Sequence, residues 1–548
     1  CMSRSSLLVL VLIRVLCGMA ICDAIAAQAT GVTPPTKIDP RGVRGTRVLG
    51  GGGKLPSDIY ERFLFHAGSK RARRLIVPTA SKRADTAEGR QITLQRWQKA
   101  HPGHQFEVLH TRDRSEADGK AFAKKMQAAT AVWFGGGAQS RLAEAYVGTR
   151  FERELHALLE RGGVVGGSSA GTAIQTRTMI AGGKAPPRLM TGFDLVPFAI
   201  ADQHFSQRKR LPRLLLALEL APGHFGIGID EGTAVVVWQR AVHVLGKGKV
   251  HFALAKTKTQ QQRIVTLGAG GQIDLPTWQR AARQRELGAW PPAKLPPPTV
   301  KTGSLVLAGG DHVPDQAFER FVALAGGAAN ARIVIVPIAT PWWRDRESYV
   351  IKHRILPVQR KLRALSVTNI QLLTPEHPND VHQRHTEMLE QATGVWFTGG
   401  RSWHIIDAFD GTPIPMALHR VLERGGVIGG MASVQSDFLL RGDPLSPKPL
   451  HCEGYDHGLG FLLGCAIDDQ FAPHQGIDGL KALITKHPQL LGIDLNDHTA
   501  AVVTGDMLEV LGTQKVTIVQ RRTEQAAATT TTLTGGEQWH LRLGKRNR

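Results

Sequence analysis

The sequence predicts an α/β protein made of two tandem copies of one domain, each a parallel sheet with helices on both faces. Three observations carry this expectation. First, the 548-residue chain resembles itself at a spacing of about 260 residues. Glu61-Arg62-Phe63 returns as Glu319-Arg320-Phe321, and Val132-Trp133-Phe134 as Val395-Trp396-Phe397. Glu160-Arg161-Gly162-Gly163-Val164-Val165-Gly166-Gly167 returns as Glu423-Arg424-Gly425-Gly426-Val427-Ile428-Gly429-Gly430. A repeat of that length is a whole domain, since solenoid units are far shorter. Second, apolar runs such as Arg74 to Val77 and Ala131 to Phe134 are of the fully buried kind that parallel sheets use. Third, Gln139 to Glu160 carries Leu142, Ala145, Tyr146, Phe151, Leu155, Leu158 and Leu159 at helical spacing. Strand, helix and strand in series require a sheet covered on both faces.

Taken from the start of the chain, Met2 to Ala29 reads as a leader. Arg4 lies in a short positive start, an apolar run follows from Leu7 to Leu16, and Ala27-Gln28-Ala29 offers small residues for cleavage before Thr30. Export predicts a secreted or periplasmic protein. Three of the five cysteines, Cys1, Cys17 and Cys22, fall in this segment, which leaves Cys452 and Cys465 for one bridge at most. No other stretch reaches 18 apolar residues, so no membrane association is expected once the leader is removed. The first domain is placed at 30–289. Trp290 to Pro298 is proline-rich, and 290–303 reads as a semi-rigid linker before a second domain at 304–548.

Composition narrows the function classes. With 42% hydrophobic and 21% charged residues the chain is an ordinary globular one. Its net charge of +22 favours acidic partners and says nothing of fold. A nucleic-acid role is not expected, because aromatic content is 6% and no recognition motif is present.

The motif that points to chemistry is Gly167-Ser168-Ser169-Ala170-Gly171, between a glycine-flanked strand and the helix expected from Thr172 to Thr176. It fits Gly-x-Ser-x-Gly, a turn so tight that larger flanking residues would clash. Such a turn lifts Ser169 Oγ above the sheet as a nucleophile and aims the Ala170 N–H at a developing oxyanion. A second loop, Gly135-Gly136-Gly137, lets Gly136 or Gly137 add another N–H. Gly50-Gly51-Gly52-Gly53-Lys54 fits neither a dinucleotide fingerprint nor a P-loop, because Leu55 replaces the residue each requires. No cofactor and no metal are expected. His204, directly after the apolar run Leu195 to Ala201, is the candidate base, at a strand end that can meet Ser169 across a parallel sheet. Beyond it Arg208, Lys209, Arg210 and Arg213 form either a solvated basic face or a carboxylate clamp built from arginine forks.

These residues resemble the peptidase family that contains cyanophycinase and the aspartyl dipeptidases. The resemblance runs through Gly50 to Gly53, Ile76 to Ser81, Gly136-Gly137-x-Gln139, Gly166 to Gly171, Asp202-Gln203-His204-Phe205-x-Gln207-Arg208-x-Arg210-x-x-Arg213, and Gly228-Ile229-Asp230-Glu231. It implies a class I glutamine amidotransferase-like fold and a serine-type exopeptidase. It further implies Ser169 as nucleophile, His204 as base, and Gln139, Asp202, Gln203, Arg208, Arg210 and Arg213 around the substrate. The family substrate is a poly-aspartate with arginine on each side chain, cut to β-aspartyl-arginine dipeptides. Two departures stand out. Ala138 occupies a usual Asp position, and the acid expected after Met179-Ile180 is replaced by Ala181-Gly182-Gly183. That leaves Asp194, or a residue from elsewhere, to orient the histidine. The alternatives are a peptidase for other aspartyl or isoaspartyl peptides, and a binding protein that keeps the pocket without efficient hydrolysis.

Registering Gly166-Gly167 on Gly429-Gly430 sets Ser168 against Met431, Ser169 against Ala432 and Ala170 against Ser433. Registering Phe205 on Phe471 sets His204 against Gln470, with His474, Gly476 and Gly479 opposite the three arginines and Ser402 opposite Gln139. The second domain is therefore expected to be a degenerate copy without catalysis, serving as an intramolecular docking partner.

Overall fold

The structure, a computed structural model, describes residues 38–258, 260–288, 290–339, 346–375, 377–439, 452–469, 476–521 and 526–547. The segment read as a leader, with Cys1, Cys17 and Cys22, lies outside these residues, as do Gln470, Phe471 and His474. The chain divides into two units, Cys1–Gly288 and Ala289–Arg548.

In the first unit one eight-stranded sheet runs from edge to edge through Gln272–Asp274, Ala241–Gly246, Thr233–Gln239, Val43–Gly50, Val164–Ser168, Ala131–Phe134, Arg74–Val77 and Phe106–Val108. The last five are mutually parallel, while the first three extend the sheet antiparallel. The sheet is thus mixed where a purely parallel one was expected. The reason lies past Ile229, where Thr233–Gln239 and Ala241–Gly246 follow each other through a tight turn that only an antiparallel pair can use. Along the parallel strands side chains alternate between two cores. Val77, Phe134 and Val165 pack with Leu142, Tyr146 and Leu155. Ile76, Trp133 and Val164 face the other way onto Ile59 and Phe63. Both faces are covered by helices, as the unbroken apolar runs require. A second sheet, Arg263–Leu267, Val250–Leu254, Phe225–Ile229 and Ala199–Gln203, carries a parallel pair at its end.

Local departures from the expected helices have simple causes. The long helix over 139–160 is two, Gln139–Tyr146 and Arg150–Glu160, broken at Gly148, whose N–H donates to the Glu152 carboxylate (2.6 Å). The helix expected from Thr172 to Thr176 is a single turn, Ala170–Ala173, because a new strand begins at Thr178.

The second unit repeats this strand order. Its large sheet passes through Gln538–His540, Met507–Gly512, Thr499–Gly505, Val300–Gly309, Val427–Met431, Gly394–Phe397, Arg332–Val336 and Asn369–Leu372, with Lys545–Arg546 added at one edge. The strand Val300–Gly309 starts inside the stretch read as linker. Trp290, also in that stretch, stacks on His457 at 3.9 Å and donates to the Asp456 carbonyl. Those residues therefore belong to the folded unit rather than to a spacer. Cys452 and Cys465 are both buried. Among the described residues no helix is long and apolar enough to cross a membrane.

Candidate active site

The site is assembled at the carboxyl ends of three strands. Val164–Ser168 lies beside Val43–Gly50 with Ser168 opposite Gly50, and the chain then turns sharply at Ser169. Ser169 has φ 54° and ψ −109°, a backbone conformation that non-glycine residues adopt only where their surroundings impose it. The Ser169 N–H donates to the Gly50 carbonyl (3.0 Å), and its own carbonyl accepts from Thr172 and Ala173 N–H as the helical turn begins. These bonds fix the elbow and leave Oγ projecting from it.

His204 follows the strand Ala199–Gln203, also at φ 54°, and its N–H donates to the Gly51 carbonyl (2.7 Å). Its ring bridges two partners. Nε2 lies 2.8 Å from Ser169 Oγ, and Nδ1 lies 2.6 Å from Glu231 Oε1. An ionised carboxylate can only accept, so Glu231 takes the Nδ1–H and leaves the Nε2 lone pair to the serine hydroxyl. Glu231 stands two residues past Phe225–Ile229, the parallel neighbour of the histidine strand, in which Gln203 faces Ile229. Its N–H donates to Gln207 Oε1 (3.0 Å), while Asp230 accepts from the Ser206 and Lys249 N–H groups.

The glycines at 50–53, which match no nucleotide motif, lie against this relay. At Gly52, φ +98°, a β-carbon would fall 2.3 Å from the Cε1 of His204. Only glycine lets the backbone pass so close under the imidazole. On the other side, the Ala170 N–H has no acceptor among the described residues, and Gly136 abuts the serine, its missing β-carbon 3.6 Å from Ser169 Cβ. Gly137 has a different task from the one offered by the sequence. At φ +145° a β-carbon there would lie 2.2 Å from the Ala80 carbonyl, so it makes the turn and Gly136 faces the serine.

Asp194 is not the orienting acid. It is buried beside Arg177 (4.0 Å), and burial pushes its carboxyl up to about 7, with Arg177 pulling the other way. The arginine clamp also differs from expectation. Arg213 grips the fully buried Asp202 through two nitrogens (2.9 and 2.5 Å), and Arg210 reaches the same carboxylate (3.1 Å) and the Gln203 carbonyl. The Arg213 fork is spent inside the protein, because a buried carboxylate must be paired, whereas half-buried Arg210 engages Asp202 through Nη1 alone. Arg208 is exposed, with no ion-pair partner among the described residues. Gln139 donates to the Ile180 carbonyl (2.7 Å), and Gln203 is buried. A cavity of about 330 Å³ is lined by Lys82, Asp85, Arg112, Arg141, Glu144 and Ala145. Arg141, in its lining, donates to the Ala80 carbonyl (3.3 Å), which also accepts from the Ala138 N–H (3.0 Å).

Comparison with known proteins places this arrangement. The sequence profile of peptidase family S51 matches residues 48–245, all within the first unit. A cyanophycinase of Geminocystis herdmanii is 34% identical over 202 residues, which are 35% of this chain and 73% of the relative. One of Trichormus variabilis is 34% identical over 203 residues, 67% of its length. A crystal structure of a peptidase from an acI-B1 Actinobacterium is similar over 43% of this chain and 98% of its own, at 23% identity and a TM-score of 0.35. A serine nucleophile on a strained turn, met by a histidine that a carboxylate orients, is what a serine peptidase needs, and the chain belongs to peptidase family S51, a family of serine-type peptidases.

Proposed function

We propose that the first unit is an exopeptidase of the cyanophycinase type, hydrolysing the backbone of a poly-aspartate carrying arginine side-chain amides and releasing β-aspartyl-arginine dipeptides. The observation that carries this reading is the continuous relay from Ser169 through His204 to Glu231. In the reaction, His204 Nε2 takes the hydroxyl proton as Ser169 Oγ adds to the scissile carbonyl. Glu231 stabilises the imidazolium that results, and the oxyanion rests on the Ala170 and Gly136 N–H groups. The imidazolium then gives its proton to the leaving amine. Water attacks the acyl-enzyme by the same path in reverse.

The substrate class rests on two supports. Relatives at 34% identity include cyanophycinases. A cavity lined by Lys82, Arg112, Arg141, Asp85 and Glu144 also mixes cations and carboxylates, which suits a polymer displaying both guanidinium and carboxylate groups. The test is to incubate the protein with cyanophycin and analyse the products by mass spectrometry, beside Ser169→Ala. Wild type should release β-aspartyl-arginine, and the variant should lose at least about 10³-fold in rate with its fold unchanged. A fluorophosphonate should label Ser169 and leave Ser433 unmodified. Cleavage of other aspartyl peptides with cyanophycin untouched would move the substrate and keep the chemistry.

A further inference from the structure

The geometry points to a divalent transition-metal site, of the kind that takes Zn²⁺, formed in the second unit by His312, Asp497 and His498. No spacing in the sequence reveals it, because His312 is far along the chain from the other two. His312 lies just past the strand Val300–Gly309, and Asp497 lies two residues past Leu491–Leu495. Asp497 holds the place after its strand that Glu231 holds after Phe225–Ile229 in the first unit. There the carboxylate serves one histidine; here it has two.

The ligand atoms of the three side chains all lie within 4.8 Å of one another. His312 Nδ1 is 2.6 Å from Asp497 Oδ2, and His498 Nε2 is 3.8 Å from the same oxygen. In a tetrahedral zinc site, with bonds of about 2.0–2.1 Å, neighbouring ligand atoms stand about 3.3 Å apart. The first contact must therefore open by about 0.7 Å and the second close by about 0.5 Å, and the two histidine nitrogens, which lie within 4.8 Å, must settle at the same spacing. The two imidazoles are stacked, 4.7 Å apart and 9° from parallel, so one ring must also tilt to aim both nitrogens at a common point. Both rings are exposed and free to make that rotation.

The anchor is firmer than the rings. The Asp497 carboxylate accepts from the His312 N–H (2.8 Å), which fixes its direction before any ion arrives. His498 is at φ 59°, a left-handed turn that puts its side chain beside Asp497 instead of along the strand that follows. Asp311, the other nearby acid, is engaged by Arg354 (2.5 Å) and adds no ligand. Two neutral imidazoles and one carboxylate, with a fourth position open to water, form a donor set suited to zinc and its neighbours and poor for Ca²⁺ or Mg²⁺, which prefer oxygen ligands. The chain's net charge of +22 offers no general attraction for cations, so affinity has to come from these three groups.

The test is titration of the chelator-treated full chain with Zn²⁺ against a fluorescent competing chelator. One equivalent should bind, with affinity weakened at least tenfold in His312→Ala, in Asp497→Asn and in His498→Asn, the last chosen because asparagine accepts a left-handed backbone. Thermal unfolding should show a zinc-dependent rise in wild type that all three variants lose, while their melting without metal stays near that of wild type. Absence of an equivalent bound at micromolar Zn²⁺, or binding that survives the three substitutions, would overturn the assignment.

Discussion

The turn after Val164–Ser168 and the turn after Val427–Met431 begin alike and end differently. Each follows a strand that pairs in parallel with the first strand of its unit, Ser168 opposite Gly50 and Met431 opposite Ala308. The next residue is Ser169 at φ 54° in one and Ala432 at φ −79°, ψ −36° in the other. The second chain relaxes into ordinary helical geometry. One residue further on, the Ala170 N–H has no acceptor among the described residues, whereas the Ser433 N–H donates to the Asp469 carboxylate (2.8 Å). The position that would face an oxyanion is filled by the unit's own anion. Strain and an unmet donor therefore occur together where a nucleophile is present, and both are absent where alanine has replaced it. Local strain is tolerated where chemistry uses it, and it is costly to keep otherwise. On this contrast we propose that the second unit is a degenerate copy without peptidase chemistry, which labelling of Ser433 by a fluorophosphonate would contradict.

The comparison can be broken most sharply at Glu231. Glu231→Gln keeps the shape but cannot stabilise an imidazolium, and kcat on cyanophycin should fall about 10³–10⁴-fold. Asp194→Asn should leave kcat within about twofold, so equal losses in the two variants would contradict the assignment of the acid. Next in size is Gly52→Ala, whose methyl group would occupy space held by the imidazole. Activity should drop about 10²-fold from misplacement of the base, measurable as a loss in kcat, and the strained backbone at φ +98° should lower the melting temperature as well. Smaller again is Arg208→Ala, which should raise KM about tenfold for a substrate that displays free carboxylates, against little change for Lys209→Ala. Equal effects would return this segment to a solvated face.

The smallest effect concerns stability. Because the Asp194 carboxyl is pushed up to about 7 in the folded state, its contribution is fully present below the ordinary carboxylate range and is lost as pH rises through about 7. Above that pH the folded protein holds a buried charge that the unfolded chain hydrates freely. Asp194→Asn should thus match wild type in thermal melts near pH 3 and exceed it by about 1–3 kcal/mol near pH 8. A variant less stable at both values would show that the carboxylate contributes more than its burial costs.

Legibility in the sequence followed the range of the interaction. The strands Arg74–Val77 and Ala131–Phe134 were readable because burial on both faces leaves an unbroken apolar run. Ser169 and His204 were readable from a local turn motif and a strand end. Glu231 was missed as the orienting acid because its link to His204 crosses between adjacent strands, 27 residues apart in the chain. The signal was present in Gly228-Ile229-Asp230-Glu231, since an acid at the end of one parallel strand stands beside a histidine at the end of its neighbour. Arg210 and Arg213 were misjudged for a related reason. Nothing in a spacing of arginines tells that Asp202, eight and eleven residues earlier, is buried and needs both.

The glycine segment at 50–53 has a mechanical consequence. Its first two carbonyls hold the backbone of the nucleophile and of the base respectively, Gly50 to Ser169 and Gly51 to His204. Both reacting groups thus hang from adjacent peptide units of one short rail. A shift of that rail carries them together, and breathing of the surrounding sheet cancels in their separation. The 2.8 Å gap between Oγ and Nε2 is a difference measured from a common reference, buffered against motions that would pull apart two groups anchored on independent supports.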